Sequence, residues 1–138
     1  MDFESLRKFL ECPEHSIAPA VLHDTGVQPA HLNLVVSAMQ EVNLMGTAQS
    51  VFARAGYSSA GKTGTSQVIG IKQNERYDAK RIAERHRDHS LYVAFAPLDA
   101  PKIALAVIVE NGGFGSQAAA PIARKVFDHH LLSQQGRP

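Results

Sequence analysis

The sequence is short of cysteine, net charge and long apolar runs, and each shortage excludes a class of structure or of partner. Its 138 residues contain one cysteine, Cys12, so no disulfide within the chain can stabilise the fold. The formal net charge of +1 gives no electrostatic basis for binding nucleic acid or an acidic membrane surface. No apolar run reaches the length of a membrane span, and the first residues lack the pattern of a secretion signal. These limits leave a single domain with a modest core.

The run from Ala60 to Gly70 organises the chain, and its alternation predicts a β-strand. Thr63 and Thr65 are expected on one face of this strand, and Lys62 on the other. Gly64 weakens a strand because it has no side chain to pack, which suggests that another group lies close against its backbone. One ammonium and two hydroxyls suit a carboxylate or an oxyanion. The alternative is an ordinary edge strand whose Lys and Thr side chains face solvent.

Helical periodicity brackets this strand on both sides. The spacing predicts a helix over 29–43 that begins with Pro29 and stops at Gly46. Its apolar stripe, expected to pack on a sheet, is Leu32, Val35, Val36, Met39 and Val42. A last helix is predicted from about Ala119 to about Leu132, followed by a frayed tail over 133–138. The residues of this helix expected to face the sheet are Ile122, Val126, Phe127, His130 and Leu131.

Residues 90–110 predict a β-hairpin whose turn lies at 97–101. The segment 103–109 is apolar on both faces, which predicts a strand covered on both sides. Residues 111–115 are expected to be a flexible link. They are not expected to bind phosphate, because the nucleotide-binding spacing is missing. The alternating strands and helices predict an α+β fold with an antiparallel sheet of about three strands flanked by helices.

Two further segments carry weaker patterns. The insertion over 72–89 is polar, with a short helix predicted at 78–87. Its His86 and His89 raise the alternative of a zinc site, but no third ligand pattern completes one. Residues 1–26 predict a helix over 2–11 and little else. Ser5 and Lys8 there have the Ser-x-x-Lys spacing of a nucleophile and its base, which short motifs also reach by chance.

An ordered set of segments resembles one known family. These are the Lys-Thr-Gly triplet at 62–64 and the stretches 70–77, 82–89, 95–97 and 110–113. The set is similar to the class B penicillin-binding proteins, and within them to the elongation-type penicillin-binding protein 2 group. The resemblance runs over about residues 27–132, and residues 1–26 have no assigned counterpart. It implies the C-terminal part of a transpeptidase domain whose full chains are several times longer.

The resemblance implies a peptidoglycan D,D-transpeptidase, whose active-site serine attacks the D-Ala-D-Ala bond of a stem peptide and is trapped by penicillins. Lys62 and Thr65 would be its catalytic residues here, and Thr63, Gly64 and Thr65 would bind substrate. Thr65 would also donate its backbone N–H to the oxyanion. No cofactor or metal is implied. The implied partners are stem peptides, β-lactams and other cell-wall elongation proteins, and the implied location is the periplasmic face of the bacterial inner membrane.

Two other functions stay open at this point. The second motif of the family, Ser-x-Asn, does not occur in this sequence, and the segment that carries the nucleophilic serine is not matched. The chain alone is therefore expected to be inactive. It would then serve as a non-catalytic interaction module or self-associate, for example as a homodimer. The other function is a self-contained serine hydrolase that uses Ser5 and Lys8.

Overall fold

A computed structural model describes residues 26–70, 78 and 82–132. The expectations for the helix at 2–11, for Ser5, Lys8 and Cys12, for the tail and for much of the polar insertion lie outside this part. Three helices, three strands and one short 3₁₀ turn lie within it. In chain order they are α1 (Pro29–Leu44), α2 (Gln49–Phe52), β1 (Ala60–Ser66), the 3₁₀ turn (Glu84–His86), β2 (His89–Ala96), β3 (Ile103–Val109) and α3 (Ala119–Leu132).

The three strands form one antiparallel sheet in the order β1-β2-β3. Gly61 pairs with Ala94 and Thr63 pairs with Tyr92 across the first ladder, while Tyr92 pairs with Val107 across the second. Lys102 N–H donates to the Ala96 carbonyl at 3.0 Å and closes the turn of the predicted hairpin. The α+β fold with about three antiparallel strands is therefore confirmed.

Strand β1 is shorter than its sequence pattern suggests. The alternation extends to Gly70, but the strand ends at Ser66, which pairs with His89, the first residue of β2. Beyond Ser66 no strand among the described residues pairs with the chain, so the alternation alone does not keep it extended. The Val68 N–H instead donates to the buried carboxylate of Asp88 at 3.4 Å.

The core lies between one face of the sheet and the helices. Tyr92, Ala94 and Ala96 of β2 are buried on this face. Helix α3 meets them through residues spaced three and four apart, namely Ala119, Ala120, Ala123, Phe127 and Leu131. The predicted inward positions Ile122 and Val126 are exposed, so that part of the expectation was wrong. Small alanines, rather than the larger β-branched residues, let the helix approach the sheet.

Arg124 joins α3 to α2 and to the segment that follows α2. Its guanidinium donates to the carbonyls of Val51 at 2.8 Å and Arg54 at 3.1 Å. It also forms an ion pair with Asp128 at 2.7 Å. The Asp128 carboxylate accepts a hydrogen bond from the Tyr57 hydroxyl at 2.8 Å. Burial and the neighbouring Asp128 raise the pKa of Tyr57 well above its usual range, so the phenol keeps its proton and stays a donor.

The opposite face of the sheet carries no helix in the part of the chain that the structure describes. We call it the uncovered face, and its residues are Leu91, Val93, Phe95, Ala104, Ala106 and Ile108. The side chain of Val93 is 47% exposed and that of Ile108 66%. The prediction that 103–109 is covered on both sides was therefore wrong, since alternate residues of this strand are exposed and the described helices pack on one face only.

Helix α1 begins at Pro29, as predicted, and ends one residue beyond the predicted Asn43. Only its second half packs against the sheet. Val36, Met39 and Val42 are half-buried, whereas Leu32 and Val35 at the start of the predicted apolar stripe are exposed. The apolar stripe of α1 is therefore longer than the part of the helix that packs against the sheet.

The end of the polar insertion is less helical than its sequence suggests. Ala83 has an extended backbone, with φ −55° and ψ 140°, and only the 3₁₀ turn at Glu84–His86 follows it. Arg87 is extended again, at ψ 151°. The predicted helix over 78–87 is therefore not continuous through its described end.

Candidate functional site

The predicted site residues lie together on the edge strand of the sheet. Lys62 and Thr65 are exposed, while Thr63 and Gly64 are half-buried. Thr63 and Thr65 pair with Tyr92 and Ser90, so their side chains belong to the helix-bearing face. Lys62 belongs to the uncovered face. The Lys62 side chain nevertheless curls back over the strand, and its ammonium donates to the Thr63 carbonyl.

One edge of β1 has no partner strand in the described part of the chain, and there the Thr63 carbonyl accepts from the Lys62 ammonium. In an antiparallel ladder, successive residues direct their N–H and C=O alternately toward the partner strand and away from it. A Cβ built on Gly115 would lie 3.0 Å from Gly64 N and 2.7 Å from Gly64 O, and it would also overlap the Leu91 carbonyl oxygen. Because Gly64 and Leu91 are ladder partners, these atoms belong to the paired side. By alternation, the backbone groups of Thr63 and Thr65 point to the free edge.

The hydroxyl of Thr63 is held by a residue outside the strand. Its Oγ1 lies 2.8 Å from Oγ1 of Thr47, in the turn that follows α1. This contact is not visible in the sequence, because the two residues are 16 positions apart and Thr47 lies outside any periodic pattern. The structure therefore adds Thr47 to the candidate site.

A series of buried hydrogen bonds links α1 to β2 and to the residue just before β1. The Tyr92 hydroxyl donates to Asn43 Oδ1 at 2.6 Å, and Asn43 Nδ2 donates to Ser59 Oγ at 2.9 Å. All three residues are buried. Burial raises the pKa of Tyr92 to about 12, which keeps it a neutral donor. Asn43 is the buried residue of α1, so these bonds join this helix to β1 and β2 at one point.

Gly64 is pressed between two neighbours, as its presence in a strand suggested. On the uncovered face, a Cβ at Gly64 would lie 3.3 Å from Leu91 Cβ, which is tight. On the other face the backbone of Gly115 lies against it. Gly115 is buried, and the N–H of Ala120 donates to its carbonyl at 2.9 Å. The sequence suggested a flexible link at 111–115, and a glycine there gave no signal of this close approach.

Comparison with known proteins identifies the family. Residues 4–128 match the family described as "Penicillin binding protein transpeptidase domain". The chain belongs to this family.

Its relatives include a peptidoglycan D,D-transpeptidase and penicillin-binding proteins of known structure. Peptidoglycan D,D-transpeptidase MrdA of Escherichia coli K12 is 52% identical over 87 residues, which are 63% of this chain and 14% of that protein. The crystal structure of Pseudomonas aeruginosa PBP2 in complex with WCK 5153 superposes with a TM-score of 0.63 at 43% identity, covering 80% of this chain and 21% of that one. PBP2 of Helicobacter pylori in complex with MreC has a TM-score of 0.60 at 28% identity, over 76% of this chain and 18% of that one.

These matches favour a transpeptidase over an unrelated interaction module. The chain is part of a transpeptidase domain, and it spans about 14% of the length of E. coli MrdA. None of the described helices is long and apolar enough to cross a membrane.

A second Ser-x-x-Lys spacing lies at Ser59–Lys62, and the structure shows why it is not a catalytic pair. Ser59 is buried and its hydroxyl accepts from Asn43. Lys62 is exposed on the uncovered face, and the residues that join it to Ser59 belong to a strand rather than a helix. Three residues of strand span roughly 10 Å, whereas the same spacing on a helix brings the two side chains onto one face.

The two histidines of the insertion do not assemble a metal centre. His86 Nε2 accepts from Arg85 Nε at 3.3 Å, and His89 Nδ1 accepts from Asn111 N–H at 3.0 Å. Among residues 26–70, 78 and 82–132, no group of three or more His, Cys, Asp or Glu side chains is placed to hold a metal ion.

Proposed function

We propose that this chain forms the Lys-Thr-Gly wall of the active site of a peptidoglycan D,D-transpeptidase. The observation that carries the proposal is the edge strand β1, which brings an ammonium, two hydroxyls and the free-edge N–H of Thr65 together along one short segment. The family to which the chain belongs and its similarity to MrdA support the same reaction.

Thr63 and Thr65 bind the terminal carboxylate of the donor peptide or of a β-lactam. Both side chains lie on one face of the strand, two residues apart. Each hydroxyl supplies one donor, and a carboxylate is an acceptor with room for both. Lys62 adds positive charge beside them, and its ammonium has further donors beyond the one directed to the Thr63 carbonyl.

The backbone N–H of Thr65 donates to the oxyanion that forms when the donor carbonyl is attacked. It points to the free edge, where no strand of the described chain competes for it. Gly64 favours this use, because the absence of a side chain lets a substrate approach the strand closely. Removing one oxyanion donor typically lowers the rate by roughly 10²–10³-fold.

The nucleophile is supplied by a part of the domain that the described residues do not contain. Acylation requires a serine held against a base, and Ser59, which has the right spacing from Lys62, is buried and engaged elsewhere. We therefore expect the 138-residue chain alone to remain unmodified by excess penicillin. Mass spectrometry of the intact chain measures this, and a stoichiometric adduct on any serine, including Ser5, would contradict it.

A chimera tests the function directly. Residues 26–132 of this chain replace the corresponding segment of E. coli MrdA, which is 52% identical where the two align. We expect the chimera to be acylated by benzylpenicillin, and Lys62→Ala in the chimera to abolish acylation. A folded chimera that is not acylated would overturn the proposed function.

Partners and location follow from the same function. The substrate is the stem peptide of peptidoglycan, and β-lactams compete for its place. An elongation protein such as the MreC bound to H. pylori PBP2 is a partner of the whole enzyme, at the periplasmic face of the inner membrane. The isolated chain forms a homodimer in which the uncovered faces of two copies pack together, because contiguous apolar patches of this kind are uncommon on soluble monomers.

A further inference from the structure

Thr47 has a contact that suggests a role in the site. It lies in the turn after α1, its side chain is exposed, and its hydroxyl oxygen is 2.8 Å from that of Thr63. The position of Thr47 is fixed on both sides. Gly46 N–H donates to the Glu41 carbonyl at 2.8 Å, and Ala48, which is fully buried, donates to the Val42 carbonyl at 3.0 Å.

The Thr63–Thr47 hydrogen bond can run in two directions, and only one of them suits an anion. Each threonine hydroxyl has one proton to donate and two lone pairs to accept with. A carboxylate only accepts, so it requires the Thr63 proton. Thr63 can give that proton to a ligand only if Thr47 is the donor in the bond between them.

We propose that Thr47 is a positioning residue for carboxylate recognition: it donates its hydroxyl proton to Thr63 Oγ1 and thereby directs the Thr63 proton toward the substrate or β-lactam carboxylate. The inference rests on the proposed function of Thr63. The two hydroxyls form a relay from Thr47 through Thr63 to the anion, and each bond in such a relay polarises the next. Without Thr47, the Thr63 hydroxyl rotates freely and carboxylate binding must first order it.

The contacts around the relay hold the two threonine hydroxyls within hydrogen-bonding distance. The nearby Asn43–Ser59 bond joins the same two segments of chain, and it is buried. Tyr92 anchors that bond from the neighbouring strand. The turn that carries Thr47 is therefore held at a fixed distance from β1 whether or not a ligand is present.

The test uses the MrdA chimera with three variants. Thr47→Val removes the hydroxyl and keeps the branched shape, Thr47→Ser keeps the hydroxyl, and Ser50→Ala removes a different exposed hydroxyl nearby on α2. The second-order rate constant of acylation is measured with benzylpenicillin and with its methyl ester, which has no carboxylate. We expect Thr47→Val to slow acylation by benzylpenicillin about fivefold, the size of one hydrogen bond, and to change the ester rate less than twofold. Thr47→Ser and Ser50→Ala should stay within about twofold of the chimera with both compounds.

The outcomes separate this inference from the function on which it rests. Equal loss with the acid and the ester in Thr47→Val would mean a general structural effect and would overturn the role in carboxylate recognition. So would an unchanged rate with benzylpenicillin, or a Thr47→Ser variant as slow as Thr47→Val. A chimera that is not acylated before any substitution would overturn the proposed function, and this inference with it.

Discussion

The hydroxyl of Tyr92 lies beneath Gly61 of the neighbouring strand, where a side chain at residue 61 would otherwise sit. A Cβ at Gly61 would overlap the hydroxyl oxygen, and it would lie 3.0 Å from Cε2 of the ring. The phenol reaches past the strand to Asn43 because nothing at position 61 blocks it. The path of β1 just before Lys62 therefore depends on a glycine and a buried tyrosine together.

Replacing Gly61 by alanine should destabilise the fold. The new methyl group would overlap the Tyr92 ring, and overpacking of this kind costs roughly 1–3 kcal/mol. Urea denaturation followed by circular dichroism measures the loss. Gly70→Ala is the matched control, because a Cβ there would meet no atom within 4 Å. Equal stability of the two variants would show that the Tyr92 hydroxyl does not occupy this position.

Alkaline pH should lower stability through Tyr92. Burial raises its pKa to about 12 in the folded chain, against about 10 for an unfolded tyrosine. The folded state then holds its proton more tightly than the unfolded state, so this contribution is complete below pH 10 and disappears as pH rises through about 12. We expect the free energy of unfolding to fall over this interval, and to fall less in Tyr92→Phe. An identical pH dependence in the variant would remove Tyr92 as the cause.

Thr65→Val in the MrdA chimera should impair acylation and leave the fold nearly intact. Valine keeps the branched shape that a strand favours, and residue 65 is exposed, so packing changes little. A hydrogen bond to a charged group is lost, which corresponds to a slowing of about tenfold or more with benzylpenicillin. Ser66→Ala, the next exposed hydroxyl on the opposite face, should acylate normally. A normal rate in Thr65→Val would exclude Thr65 from carboxylate binding.

The isolated chain should self-associate through the uncovered face. Ile108 is its most exposed large residue, and a lysine there would place a charge in any contact made by that face. Light scattering at high concentration should give a mass above that of the monomer for the unmodified chain and a monomer mass for Ile108→Lys. Leu34→Lys controls for solubility, because Leu34 is 70% exposed on α1, away from the sheet. A monomer in the unmodified chain, or one produced equally by Leu34→Lys, would contradict this interface.

Much of the fold was predictable because its elements carry local signals. Pro29 marks the start of α1, alternation marks β2, and the turn at 97–101 marks the hairpin. The end of β1 was not predictable, because it depends on where β2 begins. The inward face of α3 was predicted only in part: Phe127 and Leu131 are buried as expected, but small alanines pack where Ile122 and Val126 were expected.

The candidate site was predictable only where its residues are continuous in sequence. Lys62 to Thr65 form one short motif, and the structure places them on one exposed edge. Thr47 and Gly115 reach the same place from distant segments. The alternation of β2 predicts that Tyr92 lies in a strand, but it does not predict that its hydroxyl reaches Gly61 and Asn43. A single sequence gives no record of which distant residues meet, so only the folded structure shows these contacts.

The two bonds that join α1 and its following turn to the start of β1 limit how the gene can change length here. Asn43 meets Ser59 and Thr47 meets Thr63, so both pairs are separated by 16 residues. An insertion or deletion between Thr47 and Ser59 would change the number of residues between the partners of both bonds. A local rearrangement that re-forms one hydrogen bond would not re-form the other. The chain between these residues also contains α2, whose Phe52 is buried against Tyr92 and Phe127. Single-residue insertions and deletions should therefore be tolerated far less at 48–58 than at the exposed turn around Asp99 and Ala100.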